Sequence, residues 1–351
     1  LNDHDSALAV VQEALPLARQ SGDKTLLVDT LISTATVYLS RQDTKTALPL
    51  LNEAHDLSLR LEYRWGEAQS QTELGATYFQ QDELAKAESA NSKSLQIWRE
   101  LKDKGGEARA LLYSGETYMR LGKAHEATAA LEKAATIWRD LGDSTQQASA
   151  LLDLNFLAIR QGQLQKALTL LNEAQSLVKD KEAEPYLAGQ IAMSMGEVYE
   201  TYGQLETALS YFKESLALYR DHARNESAAA DASRKAGHVQ ARLGDYSEAV
   251  KQIEQGMRLA EKNNDQFIVA LCHEELGKVH LGVGLHAQAR QEFLEAIARY
   301  TEKKNPREWA RAHSFLGQTD HLQGNRVSAA KSYHTALNVF QKIGDYTNEA
   351  A

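Results

Sequence analysis

Small and apolar residues recur along this chain at one fixed spacing, and the spacing is 40 residues. One column runs Ala35, Gly75, Gly115, Asn155, Gly196, Gly237, Gly277 and Gly317, with 41-residue steps only on either side of Gly196. Twelve residues after each member stands an alanine without exception: Ala47, Ala87, Ala127, Ala167, Ala208, Ala249, Ala289 and Ala329. Seven residues further on the position is small again, at Ala54, Ser94, Ala134, Ala174, Ser215, Gly256, Ala296 and Ala336. Around these, Leu131, Ala134 and Ile137, and likewise Leu171, Ala174 and Leu177, recur every three residues, the mark of a helix with one buried stripe.

The punctuation between stripes places two helices in each repeat. Twelve residues before the first column stand Asp23, Tyr63, Asp103, Asp143, Glu184, Asn225, Asp265 and Asn305, most of them good N-caps. Pro185 and Pro306 follow two of them, at the first helical position, where a missing amide is no loss. A second glycine column, Gly122, Gly162, Gly203, Gly244, Gly284 and Gly324, supplies the turn that ends this first helix, and the second helix carries the alanines. Glycine inside a helix costs about 0.5–1 kcal/mol relative to alanine, so six of them in the first column imply a close neighbour. The expected neighbour is the backbone of the second helix at its alanine column. Pro16 and Pro49 fall inside second helices near the start of the chain and are expected to kink or break them.

The pattern gives eight helix pairs, over about 24–62, 63–102, 103–142, 143–183, 184–224, 225–264, 265–304 and 305–344. A second-type helix over 4–21, with Ala7 and Ala14, precedes them, and 345–351 reads as the stub of a ninth repeat. Both ends fall inside a repeat, so the sequence reads as a piece of a longer protein. Such an array has no central core, because each pair buries its stripe on the next, and residues 1–351 are expected to form a single solenoid.

A glycine followed by Tyr three later, Ala twelve later and a small residue nineteen later resembles the tetratricopeptide repeat. Gly115, Tyr118, Ala127, Leu131 and Ala134 carry the resemblance, as do Gly196, Tyr199, Ala208, Phe212 and Ser215. The tyrosine is replaced in four repeats, at Ala158, Gln240, His280 and Asp320. The 40-residue unit is similar to the long-helix arrays of kinesin light chain, Pins-type adaptors, MalT-like regulators and CHAT caspase-like peptidases. The resemblance implies an all-α, right-handed superhelical solenoid of antiparallel helix pairs. It implies a protein-interaction scaffold that takes a peptide or protein in its concave groove. The alternative is a regulatory or sensor segment of a larger protein whose effector domain lies elsewhere.

Composition narrows the partner. Lys and Arg total 39 against 48 Asp and Glu, and the net charge of −9 opposes binding to nucleic acid. No 18-residue apolar run offers a membrane span. The single cysteine, Cys272, cannot close an internal disulfide, which suits a reducing compartment such as the cytoplasm. Candidate chemistry is sparse. His238, His273, His280, His313 and His321 all fall on first helices, but no Cys-x-x-Cys or His-Glu-x-x-His accompanies them, so they read as core and surface residues, and no metal or cofactor is expected. Cys272 and His273 are neighbours on a helix and point about 100° apart, so they do not form a nucleophile pair. Trp98 and Trp138 share a repeat position that suits packing between repeats, and Gly282-Val283-Gly284 is explained as a turn. No catalytic constellation emerges, and an enzyme is not expected.

The resemblance places ligand-facing side chains three before, one after and five after the first glycine column. These are Leu112, Leu152, Met193 and Arg234 in the first set, with Glu116, Phe156, Glu197, His238 and Lys278 in the second. The third set is Arg120, Arg160 and Arg242. No repeat has the Lys and Asn that the family uses to clamp a C-terminal carboxylate. Leu112 and Leu152 read first as packing, whereas for Phe156 packing and partner contact both stay open. The arginines are either a solvated face, partly neutralised by Glu116 and Glu197, or the counterpart of acidic groups on a partner with an apolar anchor.

Overall fold

A computed structural model describes residues 4–345, so residues 346–351 of the expected ninth-repeat stub lie outside the described residues. Helix α1 (His4–Ser21) leads. The first pairs are α2 (Lys24–Ser40) with α3 (Thr44–Arg60), α4 (Arg64–Gln80) with α5 (Leu84–Leu101), α6 (Lys104–Arg120) with α7 (Ala124–Leu141), and α8 (Ser144–Arg160) with α9 (Leu164–Leu177). Then come α10 (Pro185–Thr201) with α11 (Leu205–Ala217), α12 (Glu226–Arg242) with α13 (Tyr246–Lys262), α14 (Gln266–Gly282) with α15 (His286–Arg299), and α16 (Pro306–Leu322) with α17 (Arg326–Ile343). No strand occurs among the described residues. The fold class is an all-α solenoid of antiparallel helix pairs.

Local chemistry sets the ends of these helices. The side chains of Asp23, Asp103, Asp143, Asn225 and Asp265 each accept a hydrogen bond from a first-turn amide, as N-caps do. Tyr63 makes no such cap, and its hydroxyl instead donates to Asp29 Oδ1 at 3.2 Å. The turn after each first helix passes through one left-handed residue; it is Gly122 in the third repeat (φ +72°) but Gln42 and Asp82 in the first two. The 41-residue repeats absorb their extra residue differently. One uses the loop after Leu177, and the other a π-helical turn at Leu218–His222 that continues α11.

The alanine column is buried, fully in seven repeats and to 2% exposure at Ala329. The helical glycines answer to a different neighbour from the one expected. A Cβ on Gly115 would lie 2.6 Å from the Leu131 side chain, one on Gly196 2.5 Å from Phe212, and one on Gly277 2.6 Å from Phe293. The close partner is thus the side chain sixteen residues on. At Gly237 backbone of the alanine column also approaches, with the Ala249 carbonyl at 2.9 Å. Pro16 and Pro49 do not break their helices, since α1 and α3 run through them. Both prolines are on the exposed side, where the carbonyl that each leaves without a helical amide can meet water, while Ala47, Leu51 and Ala54 stay buried.

The chain forms two compact units, one ending at Val178 and the other beginning at Lys179. Within the first unit α2 touches α4, α4 touches α6 and α6 touches α8; within the second α12 touches α14 and α14 touches α16. Among the described residues successive second helices make no comparable approach. In each unit the first helices therefore line the inner side of the stack.

Candidate partner-binding surface

In the first unit, the expected groove residues separate by burial. Leu112 on α6 is buried and belongs to the packing, and Leu152 on α8 is half-buried. Phe156, one turn further along α8, is 50% exposed, and the Arg160 guanidinium lies over its ring, 5.7 Å from the centroid. Arg120 lies over Phe79 and pairs with Asp82 at 2.6 Å. Beside them, burial pushes Glu116 up to about 8, with the Asp153 carboxyl adding to the shift, and burial pushes Asp153 itself up to about 7.

In the second unit the expected residues are tied to one another. Met193 is half-buried against the cluster around Phe212 and Val239. Arg234 is 9% exposed and pairs with Asp231 at 2.6 Å and Glu275 at 3.5 Å. His238 on α12 bridges Glu275 on α14 (Nδ1 to Oε2, 2.8 Å) and Glu200 on α10 (Nε2 to Oε1, 3.2 Å), and these two hydrogen bonds raise it to about 9. Burial alone would raise Glu275, but the His238 hydrogen bond, with Lys278 and Arg234 close by, holds it well below the usual carboxylate range. Arg242 pairs with Glu200 at 2.8 Å, and Lys278 with Glu274 at 2.7 Å and Glu275 at 3.1 Å. Arg311 on α16 closes the series on Glu274, at 2.8 and 3.0 Å. The charged groups named here thus pair with one another across the first helices of this unit.

Residues mostly outside the expected columns shape a pocket of about 330 Å³ between α2, α4 and α6. Asp29, Ser33, Trp65, Gln69, Glu73 and Arg109 are among the residues lining it. Gln69 Nε2 donates to Glu73 Oε1 at 2.9 Å, and Arg109 reaches Gln69 Oε1 at 3.5 Å. Burial raises Glu73, against the opposing pull of Arg109 and the Gln69 hydrogen bond. Most of these residues stand six or two before the first glycine column. These two columns change chemistry from repeat to repeat, Asp29-Gln69-Arg109 and Ser33-Glu73-Tyr113-Asp153, beside columns that stay apolar. That contrast was the available signal.

The remaining candidates have other occupations. Trp98 and Trp138 are buried, Trp98 donating to Thr72 Oγ1 at 3.1 Å. Burial pushes the Cys272 thiol up to about 12. His273 Nδ1 lies 2.7 Å from Glu292, and the His313 ring meets Trp309 edge-on at 4.2 Å. Among the described residues no three His, Cys, Asp or Glu side chains group as a metal ion would need, and no helix is long and apolar enough to cross a membrane.

Comparison with known proteins places this architecture. Residues 74–309 match the family model described as the MalT-like TPR region, and residues 1–42 match that of anaphase-promoting complex subunit 5. No curated protein matches the sequence. Among solved structures, the apo quorum sensor NprR from B. thuringiensis is similar with a TM-score of 0.73 and 14% identity, over 96% of this chain and 99% of that one. A Rap protein complexed with Competence and Sporulation Factor gives 0.68 and 17%, over 98% and 94%. The APC/C hetero-tetramer Cut9–Hcn1 gives 0.64 and 18%, over 90% of this chain, which spans 52% of that one. At such identities the likeness is one of fold. The family rests on the sequence match, which takes in about two thirds of the residues: the chain belongs to the MalT-like tetratricopeptide-repeat family.

Proposed function

We propose that this chain is a protein-interaction scaffold that receives a peptide or protein partner on the inner, first-helix face. The observation that carries this reading is Phe156, a large apolar side chain half exposed in a column whose other members are polar or small, with a guanidinium over its ring. In the first unit Phe156 serves as the apolar anchor, and acidic groups of the partner meet Arg120 and Arg160. In the second unit Met193, Arg234, His238, Arg242 and Lys278 offer a surface only where the partner displaces their internal carboxylates. The Rap structure contains Competence and Sporulation Factor, and that a protein of this fold was solved with such a partner supports the reading. The net charge of −9 argues against nucleic acid as the partner.

Desolvated apolar anchors typically lose about 2 kcal/mol or more on truncation, whereas exposed charge pairs give about 0–1. Calorimetry with a partner captured by pull-down should therefore show Phe156→Ala weakening binding more than Arg120→Ala or Arg160→Ala, with added salt eroding mainly the arginine share. Wild-type affinity in both Phe156→Ala and an Arg120→Glu/Arg160→Glu variant, each folded, would remove the first-helix face from consideration. The MalT-like match also favours a second reading, in which the array is the sensor segment of a longer regulator. An effector domain in the same natural reading frame would support it.

A further inference from the structure

The pocket between α2, α4 and α6 carries one more carboxylate than guanidinium. Two carboxylates, Asp29 and Glu73, line it against one guanidinium, Arg109. Glu73 is only 6% exposed, and its Oε1 accepts from Gln69, but its Oε2 accepts no hydrogen bond from the described residues. Arg109 is exposed and spends its contact on Gln69, forming no ion pair with Glu73 among the described residues. That oxygen is not among the buried atoms left without a partner, so it opens to solvent in the pocket, where an entering cation can make a charge-assisted hydrogen bond to it. The wall beside it is Trp65, 41% exposed, and an indole face attracts an ammonium or guanidinium. Ile32 and Thr36 complete a slot in which the methylene stem of a long basic side chain can lie. The volume of about 330 Å³ admits one such side chain and excludes a folded domain.

We propose that this pocket takes the Arg or Lys side chain of an extended partner segment, its charged head on Glu73 and Asp29 and its stem against Trp65. The inference rests on the partner-groove reading above and deepens it, since it names the partner's chemistry at a place distinct from Phe156. Arg109 then acts as an internal competitor that steadies Glu73 until the partner's cation arrives.

Short capped peptides bearing Arg, Gln or Glu at one central position, fluorescently labelled and titrated against the full chain by anisotropy, test this. The Arg series should bind tightest, and Glu73→Gln, Asp29→Asn and Trp65→Ala should each weaken it about tenfold or more. Arg109→Gln should tighten it, because the internal competitor is gone; that residue is exposed, so its loss leaves the fold intact. Preference for the Glu series, weaker binding in Arg109→Gln, or no response to Glu73→Gln at unchanged thermal midpoint would overturn the pocket assignment. Equal displacement by spermidine would overturn a peptide as its occupant. If the peptides fail while Phe156→Ala still weakens a natural partner, only this inference falls; if both fail, the groove reading falls with it.

Discussion

Gly277→Ala is the sharpest test of how the repeats pack. Alanine is the better helix former, so at an indifferent site the change would stabilise α14 by about 0.5–1 kcal/mol. At this site the added Cβ would stand 2.6 Å from Phe293 Cε1 and 2.8 Å from its Cζ, well inside van der Waals contact. The ring has nowhere to go. Phe293 is fully buried and stacks on Phe315 with centroids 5.4 Å apart and an interplanar angle of 12°. Overpacking of this kind costs about 1–3 kcal/mol, which leaves a net loss of about 1 kcal/mol at the middle of both ranges once the helix gain is deducted. Gly282, the last residue of the same helix, is the control, because a Cβ there meets nothing within 4 Å and its alanine variant should lose no stability and gain at most part of the propensity term. Urea denaturation followed by far-ultraviolet circular dichroism reads both. Shaving the ring in the double variant Gly277→Ala/Phe293→Leu should cost less than the two single changes together, by about 0.5 kcal/mol or more. If Gly277→Ala proves as stable as the parent, the residue sixteen on is not what excludes a side chain, and the account of the glycine column is wrong.

Ala208→Leu should lower the denaturant midpoint by a loss of about 1–3 kcal/mol, and an unchanged midpoint would place the alanine column against solvent. His238 is raised to about 9 from an ordinary value of 6.5, so its contribution to the second unit is complete below the lower value and is lost as the pH climbs through the higher one. Thermal midpoints measured across that window should fall more steeply in the parent than in His238→Gln, and parallel profiles would mean the imidazole does not hold Glu200 and Glu275. Cys272, with its thiol pushed up to about 12 inside α14, should resist disulfide reagents in the native protein and react on unfolding; rapid native labelling would contradict its burial.

The regular part of the architecture was open to reading because packing repeats and therefore leaves columns. Asp103, Gly115, Ala127 and Ala134 announce cap, close approach and joint in one repeat, and their counterparts do so in most others. What escaped is what depends on which neighbour a side chain meets. The prolines at 16 and 49 look like helix breakers until their exposed placement is known. Arg234 looks free in the sequence, yet it is buried between Asp231, three residues earlier, and Glu275, 41 residues later on the next first helix. Asp29, Glu73 and Arg109 stand in columns with no constant chemistry, and only the approach of α2, α4 and α6 brings them to one pocket.

Within each unit a helix touches only the next helix or the next but one, and among the described residues the longest-range side-chain hydrogen bond, Arg242 to Glu200, spans 42 residues. The loops that folding must close are therefore short whatever the length of the chain, and the entropy they consume grows only with the logarithm of their size. Low contact order of this kind favours fast folding that can nucleate at any helix pair and spread to its neighbours. A damaged repeat then frays locally instead of melting the whole molecule, and whole repeats can be gained or lost in evolution without a new folding problem.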